Sequence, residues 1–385
     1  MRRNLLLAQT LLRLEPRPNI LLIGGAREMG SLTIPDGIDC LTLPALHKSE
    51  QGNYQPRSLS ISLRRINALR AGAIQAAVKS FDPDLLIVDK VPLGAFQELE
   101  PTLQWLKSQG TARCVLGLRD ILDEPEVVER EWHAAGNDEA IRAYYDEVWV
   151  YGDPAVYDPA QEYGFSPDVT EKIVYTGYID RRMSDSANKS QIDALWARLH
   201  IPDNTRVALC CVGGGQDGFS LAHAFANAPM PADMVGIIVT GPFMPIAEQQ
   251  QLHRIAKERK NLRVLNFLEE PTPLIQRADM VITMAGYNTT CEVLSFAKRA
   301  LLVPRVQPRQ EQLIRAERLR DLQLVDMVHP EHLSPTAIGD WLTKTDIAVV
   351  NPHHRINLKG LDILPHLVNR LSYLAYDYME VRDAA

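Results

Sequence analysis

The segment Gly213-Gly214-Gly215-Gln216-Asp217-Gly218 has the composition of a loop that can lay its backbone against an anion. An apolar stretch, 207–212, precedes it and a helical pattern follows, so its N–H groups would face an anion at a helix N-terminus. Gly213, Gly215 and Gly218 also satisfy G-x-G-x-x-G, the spacing of a dinucleotide loop. That chemistry needs an acidic residue at the end of the next strand to hold a ribose. The next strand ends Val239-Thr240-Gly241, which speaks against NAD, and a glycine turn without a ligand is the plainer alternative. A second strand end, Thr283, runs into Met284-Ala285-Gly286-Tyr287-Asn288-Thr289-Thr290-Cys291-Glu292. Gly286 permits a tight turn, and Asn288, Thr289 and Thr290 suit the first turn of a helix. Its free N–H groups and positive dipole end suit a diphosphate. Glu292, one turn further in, could accept both hydroxyls of a ribose; taken alone, such a Glu more often just complements the dipole. Gln310, Glu311 and Gln312 open another helix after the strand pattern 300–303, where they would read sugar hydroxyls or simply be solvated.

In the first half, Asp89, Lys90, Arg119 and Asp120 end strand patterns and should line a cleft. Lys90 and Arg119 are the candidate acceptor contacts. Asp89, Asp120 and His47, which follows another strand, are the candidate bases. Asp82-Pro83-Asp84 matches the D-x-D metal motif but precedes its strand, so it reads as a turn. His329, His332, His353 and His354 lie in polar, proline-bearing loops and read as solvated. H-E-x-x-H, G-x-S-x-G and P-loop motifs are missing from the sequence. The five cysteines form no C-x-x-C pair, and an odd number partly inside apolar runs reads as reduced and buried. Neither a metal nor a cofactor is expected.

These residues need a scaffold that brings strand ends together. Strand patterns at 19–24, 38–43, 84–89, 113–118, 147–151 and 172–176 alternate with helical ones at 58–80, 96–108 and 138–145. A second series has strands at 207–212, 234–240, 262–266, 280–283, 300–303 and 325–328, with helices at 220–227, 246–260, 288–296 and 310–322. Strands that are apolar throughout, such as Leu85-Leu86-Ile87-Val88, belong in parallel sheets covered on both faces. The expected class is therefore α/β, with two doubly wound Rossmann-like domains facing a cleft. The first spans 1–180 and carries the acceptor side, and the second spans 181–360 and carries the donor side. A closing amphipathic helix, 361–385, would pack back on the first. The polar stretch 177–190 reads as the linker. The chain opens on a helical pattern, where a doubly wound domain normally opens on a strand and a glycine turn.

A chain of 385 residues suits two domains. A net charge of -7 argues against nucleic acid as the main partner. Apolar runs stay short of the length that spans a bilayer, and the polar residues of the opening segment exclude a signal peptide. A cytoplasmic protein is expected. Arg2, Arg3 and Arg13 on an apolar helix would permit a peripheral contact with the inner membrane face.

The C-terminal half resembles the donor domain of glycosyltransferase family 28, to which the transferase that completes lipid II belongs. The turn 213–218, Phe267-Leu268-Glu269-Glu270, the turn and helix 286–292 and the run 312–316 occur in that family's order and spacing, covering 207–316. The whole chain is similar to a group of bacterial predicted glycosyltransferases of unassigned substrate, sharing 84–89, 116–125 and 174–177. The resemblance implies the fold called GT-B, a UDP-sugar donor, and inverting, metal-independent transfer to an acceptor that is lipid-linked or a small glycoside. It implies that Gly213, Gly214, Gly215 and Gln216 face the donor. Leu268 would lie near uracil, Gly286, Asn288 and Thr289 at the diphosphate, Glu292 on the ribose and Gln312 on the sugar. The alternatives on the same scaffold are a UDP-sugar hydrolase or 2-epimerase, and a non-catalytic nucleotide-sugar-binding protein. The family has arginine where this chain has Met284, which puts one phosphate or base contact in question. Relatives begin with a strand and a G-x-G-H turn ahead of a helix that Arg2-Arg3-Asn4-Leu5-Leu6 matches. The expectation is that Met1 is internal, and that the missing strand and turn supply part of the acceptor site.

Overall fold

The computed structural model describes residues 2–25, 34–48, 54–183, 189–202, 204–268, 270–344 and 350–372. Helix α1 (Arg2–Leu11) opens the chain, with Leu5, Leu6, Leu7, Ala8 and Leu11 all buried. Its apolar face is thus spent inside the protein, and Arg2 and Arg3 are engaged in ion pairs there. Of the three arginines read as permitting a peripheral membrane contact, Arg2 and Arg3 are thus occupied within the protein, and Arg13 is exposed. No described helix is long and apolar enough to cross one.

Strands β1 (Ile20–Gly24) and β2 (Ile38–Thr42) pair in parallel, and β3 (Leu46–Lys48) with β4 (Tyr54–Pro56) makes a short hairpin. Helix α2 (Leu63–Phe81) starts where the Ser62 side chain accepts from the Arg65 N–H. It ends where Asp82 turns left-handed, φ 47°, so the D-x-D aspartate serves a helix end. Then follow β5 (Leu85–Asp89), α3 (Glu100–Gln109), β6 (Arg113–Arg119), α4 (Pro125–Ala135), α5 (Asn137–Tyr144), β7 (Glu147–Tyr151), the single turns α6 (Pro159–Glu162) and α7 (Pro167–Thr170), and β8 (Ile173–Tyr175). Strands β5 to β8 form one parallel sheet in sequence order. The helix expected from residue 96 starts four residues later, because Phe96 and Gln97 adopt positive φ.

The second half contains α8 (Lys189–Leu199), β9 (Arg206–Cys211), α9 (Phe219–Asn227), β10 (Met234–Val239), α10 (Ile246–Glu258), β11 (Leu262–Leu265), α11 (Thr272–Arg277) and β12 (Met280–Thr283). It continues with α12 (Tyr287–Ser295), β13 (Arg299–Leu302), α13 (Glu311–Asp321), β14 (Asp326–Met327) and α14 (Pro335–Thr343). Its sheet is wholly parallel in the order β11-β10-β9-β12-β13-β14. The helix 364–372 packs back on the first half, with Leu364, Leu367 and Leu371 in a core shared with Leu6 and Trp149 and with Arg370 paired to Glu147. Residues 361–363 of the expected closing helix form a turn before it, and 373–385 lie outside the described residues.

Of the stretch 177–190, read as the linker, residues 177–181 are clasped, and 184–188 lie outside the described residues. Tyr178 donates to the Asn357 carbonyl and accepts from Gly360, and Asp180 and Arg181 are buried. Gly177, at φ +89°, lies so close to Asn357 that a Cβ would collide with its side chain. Polarity misled here because the charge of Arg181 is met by Glu270 and Glu292, about 90 and 110 positions further along the chain. His353 is likewise not simply solvated: its Nε2 lies 3.0 Å from the Ser295 carbonyl oxygen.

Candidate functional site at the seam between the halves

In the second sheet, β9 is the first strand in sequence. The sheet grows from it to one side through β10 and β11 and to the other through β12, so the order reverses between β9 and β12. The crevice outside the carboxyl ends of the strands at such a reversal is where ligands bind in open α/β sheets. Both glycine turns leave from there: Cys211 of β9 is in register with Thr283 of β12.

The glycines do different work. A Cβ at Gly215 would strike the Thr240 carbonyl and one at Gly218 the Val212 side chain, so these two serve backbone packing. Gly213, at φ +62°, and Gly286 would have open space around a Cβ. Gly286 caps α12 in an extended conformation, φ -64°, that any residue adopts. The fold therefore gives no reason for glycine at 286, whereas close approach of a ligand would. Asn288 and Thr289, half-buried, follow in the first turn of α12, whose first N–H groups have no partner within the helix. Gly214, Gln216 and Asp217 are exposed, and Asp217 pairs with Arg305. Gln312, at the start of α13, accepts from the Arg305 N–H at 3.0 Å. Leu268, past the end of β11, is half-buried against the shared core; its neighbour Glu269 lies outside the described residues.

Glu292 is fully buried. Its Oε1 accepts from Arg2 at 2.8 Å and from the Thr272 hydroxyl at 3.1 Å, while its Oε2 is buried without a partner. Arg2 also reaches Glu270. Burial lowers the Arg2 pKa, but Glu292 and Glu270 outweigh it and hold the guanidinium above its ordinary value.

Across the seam, Asp89 ends β5 and Arg119 ends β6. Asp89 pairs with Arg3 and accepts from Asn4. Burial raises its pKa, yet Arg3 and Arg119 more than offset this and keep the carboxyl below the usual range. Asp120 is 1% exposed and both of its oxygens are taken. Arg315 of α13 binds it through two N–H groups at 2.6 and 2.8 Å, and the Tyr178 hydroxyl adds a bond at 2.8 Å. The same Arg315 donates at 2.9 Å to the carbonyl of Ala285, which sits at φ +61° immediately before Gly286. Arg309 and the Gln310 N–H hold Asp123 in the same way. His47 lies exposed on the β3–β4 hairpin, and Lys90 turns the chain at φ 74° after β5. The structure thus gathers the donor-side candidates around one set of strand ends and sets Asp89, Lys90, Arg119 and Asp120 at the ends of β5 and β6. It also brings in Arg2, Arg3, Arg181, Glu270, Thr272 and Arg315, which the sequence reading did not assign to a site. One signal for Arg315 was available: an arginine beside Ile314, Ala316 and Leu319 in a helix needs a buried partner.

Residues 211–346 match the glycosyltransferase family 28 C-terminal domain. An uncharacterized glycosyltransferase of Methanosarcina acetivorans is 21% identical over 261 residues, which is 64% of this chain and 61% of that protein. The match thus spans about three fifths of the length of this curated relative. Among solved structures, the calicheamicin glycosyltransferase is 13% identical, with a TM-score of 0.57 over 99% of this chain and 94% of that one. A UDP-GlcNAc 2-epimerase from Neisseria meningitidis, bound to UDP-GlcNAc, is 14% identical, with a TM-score of 0.54 over 91% and 98%. The likeness to these structures is one of fold: two Rossmann-like α/β halves of the GT-B type.

Proposed function

We propose that this chain, which carries the family 28 C-terminal domain on a GT-B fold, moves a sugar from a UDP-sugar to an acceptor held by the first half. The observation that carries the reading is the placement of the two glycine turns on neighbouring strand ends at the reversal of the second sheet, with open space beside the half-buried Gly286 that the fold does not require. The turns 213–216 and 286–289 would take the diphosphate, and Leu268, Glu292 and Gln312 the base, ribose and sugar. Glu292 is fully buried with its Oε2 unpartnered, so a ribose reaches it only if the side chains that cover it, Arg2 among them, move.

Transfer is read as a single displacement with inversion. The acceptor oxygen bonds to the anomeric carbon as the bond to the diphosphate breaks, UDP leaves, and the hydroxyl proton passes to a general base. Of the two aspartate candidates, Asp89 is favoured: both are held by side chains, but Asp89 is exposed and ionised at the cleft wall, whereas Asp120 is buried with its oxygens committed to Arg315 and Tyr178. Helix N–H groups supply the stabilisation of the leaving charge. The test is product formation from UDP-sugars and acceptors with and without EDTA. Complete loss with EDTA would overturn the metal-independent part. The fold likeness to a 2-epimerase favours one second reading, that of a UDP-sugar 2-epimerase or hydrolase. Release of free sugar, or inversion at C2 without acceptor, would select it.

A further inference from the structure

The arginines along the seam are paired with carboxylates. Arg3 takes Asp89, Arg2 and Arg181 take Glu270 and Glu292, Arg309 takes Asp123 and Glu131, and Arg315 takes Asp120. Arg119 is different. Among the described residues its guanidinium makes no hydrogen bond and no ion pair, and its Nε is buried without a partner. Buried polar groups without partners are rare in native proteins, and Arg119 is half-buried with such a group at the root of its guanidinium.

Its surroundings sharpen the anomaly. Arg119 ends β6 opposite Tyr151 of β7. The Arg3 guanidinium lies 4.8 Å above the Tyr151 ring, and the Tyr287 hydroxyl, from the start of α12, donates to the Tyr151 carbonyl at 2.8 Å. Arg119 therefore stands at the carboxyl edge of the first sheet, facing the start of the helix that follows Gly286. Burial, together with the nearby Arg3 and Arg315, lowers its pKa below that of an ordinary arginine, with only Asp89 and Tyr287 acting the other way. A half-buried guanidinium beside two like charges is an arrangement that a bound anion relieves.

We propose that Arg119 receives a phosphate-type oxyanion carried by the acceptor, bound by the guanidinium fork on the first-half wall of the cleft. This rests on the donor reading above and extends it to the chemical class of the acceptor. The fork matches two oxygens of one phosphate. With Arg3 and Arg315 matched by Asp89 and Asp120, the uncompensated positive charge is that of Arg119, which favours an anion over a neutral hydroxyl group. The acceptor, rather than the donor, is the source because Arg119 belongs to the first sheet, while the donor diphosphate has the two glycine turns of the second.

The test uses the whole protein saturated with UDP, which fills the donor turns, and titrates inorganic phosphate by calorimetry. Phosphate is expected to bind alongside UDP, and Arg119→Gln to weaken it about tenfold or more, the size of lost charge-assisted hydrogen bonds. UDP affinity should be the same in both proteins, Arg119→Lys should fall between them, and acetate should bind more weakly than phosphate. Without phosphate, Arg119→Gln should melt no lower than the wild type, since it removes an unpaired charge; this controls for folding. Equal phosphate affinity in wild type and Arg119→Gln would overturn the proposal. So would competition between phosphate and UDP with weaker UDP binding by the variant, which would give the guanidinium to the donor. If UDP does not bind at all, the donor reading falls, and the same phosphate comparison without UDP still decides for or against Arg119.

Discussion

The two halves build the same cleft by different means. In the second, six parallel strands form one sheet, and a central strand such as β10 is buried along its whole length. Its cleft face is backbone: glycine turns locked by close packing at Gly215, Gly218 and Gly241. In the first half, the parallel strands fall into two groups, β1–β2 and β5–β8, with no described strand joining them. There β1, Ile20-Leu21-Leu22-Ile23, is as apolar as any central strand yet half-exposed throughout. Its cleft face is charge: Asp89 and Asp120, held by Arg3 and Arg315, with Arg119 between them. The continuous sheet holds its first glycine turn by backbone packing, whereas the charged strand ends of the divided one are held by ion pairs, Asp89 to Arg3 of its own half and Asp120 to Arg315 of the other.

The largest effect expected from upsetting this contrast is at the buried pair that joins the halves. Asp120→Ala leaves Arg315 charged and unpaired, which should cost about 3–5 kcal/mol in denaturant unfolding. Asp120→Asn with Arg315→Met should recover much of that; failure to recover would mean that the Arg315 bond to Ala285 matters more than the pair. Next come the glycines. Gly286→Ala should lose about tenfold or more in UDP affinity, the value of a charge-assisted hydrogen bond. It should keep stability within about 1 kcal/mol, the scale of a helix cap. Gly215→Ala should destabilise by about 1–3 kcal/mol, as overpacking does. Equal behaviour of the two variants in both assays would erase the distinction drawn between them.

Hydrogen exchange should reveal the divided sheet directly, with amides of β1 and β2 exchanging well before those of β9 and β12. Equal protection would show that the half-exposed strands are as firmly held as the buried ones. The smallest effect concerns acid. Asp89 and Glu270 have lowered pKa values in the fold, so the unfolded chain binds their protons first as pH falls. Their contribution is therefore whole above about pH 5 and lost as pH drops through the lowered values. Arg2→Met with Arg3→Met should flatten that part of the stability profile, measured by urea melts between neutral pH and pH 3.

The donor-side elements were legible because their signals are local. An apolar run, a glycine turn and a helix start follow one another directly at 207–219 and again at 280–292, and strand and helix periods do not depend on distant partners. Boundaries failed where a local break overrode the period, as at Phe96 and Gln97. The polar stretch at 177–181 failed for another reason: polarity signals exposure only when no distant charge compensates it.

Sequence alone thus settled the α/β class, the two series of strands and the two glycine turns, because backbone geometry and amphipathic period are written in neighbouring residues. Which charges meet was decided only in three dimensions. Arg315 and Asp120 are 195 positions apart, and Arg2 and Glu292 are 290 apart. No periodicity reports such a pairing, since the energy of a buried ion pair depends on distance and desolvation, both of which exist only once the halves have docked.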